Sequence, residues 1–148
     1  LVLRDVDLLA TMPGSEVIFS ISTTDENFRQ LAEPGAAPIQ ERLQALQELH
    51  RRGISTAIMV APFMPGITDW KNLLTHVQTY VERVSFDTLN MRPAYQTKIL
   101  RFIDSHYPDL SALYRDIYVH YKKGYWAQVK QEISQAAPQF ACRVQLFF

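Results

Sequence analysis

The sequence is short of the residues that many active sites require. It holds a single cysteine, Cys142, among 148 residues, which excludes an internal disulfide and any cluster of thiolate ligands. Such sparse cysteine is typical of a reducing compartment, and we expect a cytoplasmic protein. Only five glycines are present, and neither the Gly-x-Gly-x-x-Gly nor the Gly-x4-Gly-Lys-Ser/Thr pattern occurs. A complete small α/β enzyme with a phosphate-binding loop is therefore a poor interpretation.

Long apolar runs and an excess of one charge are also lacking. No stretch approaches the roughly 20 apolar residues that span a bilayer, and we expect neither a membrane segment nor a signal peptide. Residues 1–91 carry seven basic and eleven acidic side chains, and residues 92–148 carry eight and four. A DNA-binding surface is usually far more basic, because neutralised phosphates supply much of its affinity. The asymmetry favours a solvated helical face over a DNA site.

The pattern of apolar residues predicts parallel β/α units. With 47% apolar and 20% charged residues, the chain has the composition of one globular unit. Apolar runs predict three strands, at about residues 16–22, 55–62 and 85–91. Each run is apolar on both faces, as in parallel sheets whose faces are both covered. The predicted fold class is α/β.

Helical periods lie before, between and after these strands. One predicted helix opens the chain, a second follows Thr24 or Asp25, and a third begins near Pro38 with Ile39, Leu43, Leu46 and His50 on one stripe. A fourth begins at Asp69 and keeps its period as far as Val84. The remainder, residues 93–148, reads as helical, and we expect it to pack as an extension on a β/α unit formed by residues 1–92.

Three segments together carry a family resemblance. They are FSISTTDE at 19–26, EPGAAP at 33–38 followed by ERL at 41–43, and MVAPFMPGITD at 59–69. LVLRD at 1–5, HYPD at 106–109 and FACR at 140–143 add to them. In this order and spacing the chain resembles the radical S-adenosylmethionine (SAM) proteins related to spore photoproduct lyase, often labelled DNA repair photolyases.

The resemblance implies a fold, a chemistry and a missing part. The predicted strands would be the fourth to sixth of a partial, TIM-like (β/α)6 barrel. The family holds a 4Fe-4S cluster with Cys-x3-Cys-x2-Cys after its first strand, and this sequence has no such motif. The chain is thus expected to be the C-terminal half of a lyase-type enzyme that abstracts hydrogen atoms, and to be inactive alone. SAM and the cluster would be cofactors of the complete enzyme, and an N-terminal half-barrel would be the partner.

The resemblance also assigns cofactor-binding positions. It implies that Ser20 brings a hydroxyl to SAM, with Ser22 as the second candidate because strand alternation places it on the same side. Ala61 and Pro62 match the strand end where related enzymes let the adenine approach the backbone. The plainer interpretation of all four is that they are ordinary strand-end residues. No catalytic residue is assigned.

Other polar residues have structural interpretations. Thr68 and Asp69 are predicted to cap the following helix, and Glu33 is predicted to pair with Arg42 beside the Pro-Gly loop. The four histidines show no ligand spacing, so no metal site is predicted. Cys142 has apolar neighbours and is interpreted as a packed thiol.

Two further surfaces bear on partners. The aromatic residues between 107 and 126, interleaved with Lys122 and Lys123, have the composition of a base-stacking surface. The spacing of Tyr114, Tyr118 and Tyr121 favours a core face instead. Open strand edges also favour an alternative function, a non-catalytic α/β module that self-associates or binds a protein partner.

Overall fold

The computed structural model describes residues 2–148 and contains one parallel sheet of four strands. The strands are β1 (Glu16–Ser20), β2 (Ser55–Phe63), β3 (Arg83–Thr88) and β4 (Arg143–Leu146), and they lie in sequence order. The predicted α/β class is confirmed. Leu1, the first residue of the LVLRD segment, lies outside the part of the chain that the structure describes.

Seven α-helices and three short 3-10 helices (Val2–Asp5, Pro108–Leu110 and Ala137–Gln139) accompany the sheet in this part of the chain, and the α-helices are numbered in chain order. They are α1 (Val6–Ala10), α2 (Glu26–Ala32), α3 (Ile39–Arg51), α4 (Trp70–Val77), α5 (Pro93–His106), α6 (Ser111–Tyr118) and α7 (Tyr125–Ala136). Asp25 caps α2 by accepting hydrogen bonds from the Asn27 and Phe28 amides. Gly53 lies in the turn that separates α3 from β2. Its φ of +74° is a left-handed backbone conformation, which suits glycine because it has no Cβ.

One face of the sheet is covered by helices. Alternate residues of each strand point to this face, including Ile58, Val60, Val84 and Phe86, and all four are fully buried. They form one apolar cluster with side chains of α3, α4 and α7. Because strand order never reverses, each crossover brings one helix, α3, α4 or α7, to the same face.

The opposite face, which we call the open face, is largely polar and is exposed along β1, although Ala57 and Ser85 near its centre are fully buried. It carries Ser20 at the end of β1, and a hydrogen-bonded ion pair joins Glu16 on β1 to Arg83 on β3 across β2. Ile18 is 48% exposed on this face, and Phe147, which follows β4, is 58% exposed. Within residues 2–148, none of the strand side chains pointing to this side belongs to an apolar cluster.

A second apolar cluster lies at the carboxyl end of the sheet. Phe28 of α2 and Met64 after β2 pack there against Ile103, Tyr114 and other side chains of α5 and α6. Gly66 allows this approach, since a Cβ at that position would lie 2.7 Å from the Leu110 side chain. The loops that follow the strands are therefore held by packed helices.

The structure corrects several boundaries. Residues 93–148 are not helical throughout: they end in β4, whose four residues are too few to show a strand period. Helix α4 ends at Val77, and Val84 belongs to β3. The prediction extended the helix to Val84 because that residue lies seven positions after Val77, a spacing that also fits a helical stripe. His50 is exposed rather than part of the α3 stripe. The division between residues 92 and 93 and the partial (β/α)6 barrel stay predictions.

No helix among the residues described is both long and apolar enough to cross a bilayer.

Candidate functional site

The carboxyl ends of β1 and β2 bring together the residues assigned by the resemblance. Ser20 lies opposite Met59 in the register, and its hydroxyl donates a 3.4 Å hydrogen bond to the Ala61 carbonyl. The pairing of β2 with β3 is interrupted between Val60 and Phe63. Ala61 and Pro62 therefore lie in an irregular strand end, a feature common beside ligand sites.

Ser22 and Pro62 line one pocket beyond these strand ends. Its volume is about 410 Å³, and α2 and α5 form its other walls. Ser22 is 4% exposed, whereas Ser20 is exposed on the open face. Because β1 ends at Ser20, strand alternation does not govern Ser22, and the two hydroxyls occupy different environments.

Thr68 holds the two strand ends together, a role that the sequence analysis missed. Its buried hydroxyl donates to the Ser22 carbonyl at 2.7 Å and accepts from the Met64 amide at 2.9 Å. The predicted helix cap at Asp69 is confirmed by its 3.0 Å hydrogen bond with the Asn72 amide. Thr68 is therefore a positioning residue for the loop after β1. This role is visible only in the structure, because Thr68 and Ser22 are 46 residues apart in the sequence.

Arg42 of α3 also reaches the strand end. The predicted pair with Glu33 is confirmed, with 3.0 Å between Nη2 and the carboxylate. The same guanidinium donates to the Ser20 carbonyl at 2.9 Å and to the Ala37 carbonyl at 2.8 Å. Arg42 thus fixes the end of β1 as well as the Pro-Gly loop, and the sequence indicated only the second role.

The residues fit the two implied cofactors unequally. Cys142, the only thiol, is buried in the apolar cluster of the covered face, and burial raises its pKa, so it does not fit as a cluster ligand. Among residues 2–148, no group of three His, Cys, Asp or Glu side chains is placed to hold a metal ion. The Ser20 hydroxyl can donate and accept hydrogen bonds, as the ribose or amino-acid groups of SAM require, and the irregular Ala61–Pro62 strand end is compatible with the close approach of the adenine that the resemblance implies.

The aromatic residues of the C-terminal segment divide between core and surface. Tyr114 and Tyr118 are buried in the carboxyl-end cluster, as their spacing predicts, and burial raises the pKa of both hydroxyls. Tyr121 is 75% exposed, so its assignment to the core face is wrong. Helix α6 ends at Tyr118, so the helical stripe does not continue to Tyr121, whose φ of +51° lies outside right-handed helical geometry.

Two curated viral proteins match part of the chain. The uncharacterized protein ORF301 of Acidianus two-tailed virus is 35% identical over 66 residues, which are 44% of this chain and 22% of that protein. The radical SAM Nalpha-GlyT isomerase of Pseudomonas phage M6 is 37% identical over 62 residues, which are 42% of this chain and 13% of that enzyme. The matched part spans less than a quarter of either relative. No protein-family model and no solved structure matches the chain.

These similarities are partial. Part of this chain is similar to a protein named as a radical SAM enzyme, and neither relative is named as a spore photoproduct lyase.

Proposed function

We propose that the chain is part of a radical SAM enzyme and supplies strands and cofactor-binding positions to it. The observation that carries this proposal is the 37% identity over 62 residues with a phage enzyme of that name. The spore photoproduct lyase group, its lyase activity and DNA repair remain a finer proposal that rests on the motifs at 19–26, 33–43 and 59–69 alone.

The sheet topology supports a barrel. Four parallel strands in sequence order, with α3, α4 and α7 on one face, are typical of a (β/α) barrel wall. A doubly wound sheet would reverse its strand order and carry helices on both faces. The open polar face would then line the barrel interior, and the free edge of β1 would receive a strand of an N-terminal half.

The strand-end residues would bind and orient the cofactor. SAM, when bound with a reduced 4Fe-4S cluster, supplies the radical chemistry of these enzymes. In this chain the Ser20 hydroxyl would hydrogen-bond a polar group of SAM. The pocket side of the cofactor would be lined by Ser22, Ala61 and Pro62. Both strand ends would be held in place by Arg42 and Thr68. The cluster ligands would come from outside the 148 residues.

Iron analysis tests the proposal directly. The 148-residue chain and the longest product of its coding region would both be reconstituted anaerobically with iron and sulfide. We expect about four irons per chain and cleavage of SAM only for a longer product that carries a cysteine motif. Failure of every product to bind iron would contradict the radical SAM assignment.

Serine variants of the longer product test the cofactor positions. Ser20→Ala and Ser22→Ala each remove one hydroxyl, and a lost hydrogen bond is expected to weaken SAM binding by about fivefold to tenfold in calorimetry. Ser134→Ala is the matched control, because Ser134 is exposed on α7. Equal affinities for all three variants would remove Ser20 and Ser22 from the cofactor site.

The alternative function, a self-associating module, is favoured by the two open edges. Ile18 on edge strand β1 and Phe147 after edge strand β4 are both large, apolar and exposed. Such edges tend to pair with other chains. Sedimentation velocity over a range of concentrations should show association that Ile18→Lys abolishes; a monomer at every concentration would leave only the enzyme proposal.

A further inference from the structure

The pocket that begins at Ser22 and Pro62 has the character of a small-molecule site. Its volume of about 410 Å³ lies in the range of ligand pockets. Eight of its eleven lining residues are apolar, with Phe28, Met64 and Phe102 contributing large side chains. It lies beyond the carboxyl ends of parallel strands, where α/β folds place their ligands.

The charges around the pocket do not cancel. The two charged lining residues are Glu33 and Lys98. The Glu33 carboxylate is already neutralised by Arg42 at 3.0 Å. Lys98, on α5, is exposed to solvent and forms no ion pair and no hydrogen bond with any of residues 2–148, so no protein group balances its charge in the lining. Solvent screens this charge, and it therefore favours an anion over a neutral molecule by a modest amount.

A buried hydroxyl at the inner end adds a second polar group. Ser22 is 4% exposed, and its carbonyl is taken by Thr68. Its hydroxyl makes no hydrogen bond with any of residues 2–148, and it is not one of the fully buried polar atoms without a partner, which are the Tyr114 and Tyr118 hydroxyls. A ligand oxygen or nitrogen at this end of the pocket would bond to it in place of water.

We propose that this pocket binds a small organic anion, with its apolar body against Phe28, Met64 and Phe102, its charged group at Lys98 and a polar atom at Ser22. Because the pocket adjoins the cofactor positions, its role as the substrate side of the site rests on the proposed function. Binding itself depends only on this chain and can be measured without a cluster or SAM.

Two dyes of equal aromatic framework test the proposal on the 148-residue chain. Anilinonaphthalene sulfonate is an apolar monoanion, and phenylnaphthylamine is its uncharged counterpart. Fluorescence titration should show saturable binding of the sulfonate at one site. Lys98→Met should weaken sulfonate binding by about threefold to tenfold and leave the neutral dye unchanged, because only the charge contact is lost.

Two further variants control the measurement. Lys123→Met removes an exposed lysine in the turn before α7 and should change neither affinity. Ala32→Trp places an indole in the pocket wall and should weaken both dyes. Sulfonate binding that is absent, or that is the same in Lys98→Met and wild type, would overturn the proposal. Iron binding by the longer product would be unaffected by that outcome, so the two proposals fail separately.

Discussion

The two faces of the sheet are made from the same strands and differ in almost every other respect. On the covered face, Val84 and Phe86 of β3 are fully buried against helices. On the open face of the same strand, Arg83 and Ser85 form a polar network with each other and with Gln145. Ser85 is itself fully buried, whereas Glu16, Ile18 and Ser20 on β1 are exposed, so alternation separates an apolar interior from a polar face that meets solvent along its β1 edge.

This difference assigns separate tasks to the two faces. Burial of apolar area supplies most of the free energy of folding, so the covered face should determine stability. Changes at exposed positions of the open face should affect stability little and affect binding or association more. Three experiments with four substitutions test this division, in order of decreasing effect on stability.

Two phenylalanines on opposite faces give the largest contrast. Phe86→Ala empties a fully buried site on the covered face and should lower the free energy of unfolding by about 3–5 kcal/mol. Phe147→Ala is the matched change on the open face, where the ring is 58% exposed, and should lower it by less than about 1 kcal/mol. Urea unfolding followed by circular dichroism measures both. Similar losses would mean that the open face is covered in solution.

The ion pair on the open face should have a smaller effect. Glu16→Gln keeps the shape of the side chain and removes the charge that faces Arg83. Both side chains are partly exposed, so we expect a loss of less than about 1 kcal/mol, and a smaller one at high salt. The same urea titration at two salt concentrations checks this. A loss that salt does not reduce would show that the pair is shielded from solvent.

A cysteine introduced on the open face should leave the free energy of unfolding unchanged and should react faster than the native Cys142. Burial raises the pKa of Cys142, so at pH 8 little of it is thiolate and its reaction with a disulfide reagent should be slow. Ser20→Cys places a second thiol at an exposed position, where reaction should be at least about tenfold faster. Wild type reacting as fast as the variant would contradict the burial of Cys142.

Local patterns in the sequence were sufficient for much of the fold. The apolar runs of β1 and β2 and the caps at Asp25 and Asp69 are signals carried by neighbouring residues, and they predicted the elements correctly. Strand β4 was missed because four residues give no reliable period, and pairing with β3 decides its conformation. Val84 was placed in a helix because a residue seven positions from another suits a helical stripe.

The site was only partly accessible from sequence. The resemblance named Ser20, Ser22, Ala61 and Pro62, and the fold brings them to adjacent strand ends, although their cofactor role stays a prediction. The hydrogen bond from Thr68 to Ser22 and the contribution of Lys98 to the pocket depend on contacts between distant segments. Residue spacing contains no information about such contacts.

The hydrogen bond between Arg42 and the Ser20 carbonyl limits how another strand can pair with β1. The Ile21 amide donates to Met59, so alternation turns the Ser20 carbonyl toward the free edge of β1, where Arg42 occupies it. An incoming strand can bond with Glu16 and Ile18 but must diverge before Ser20. A gap would remain between the two strands at that end, and through it small molecules could reach the strand ends even after the edge is covered.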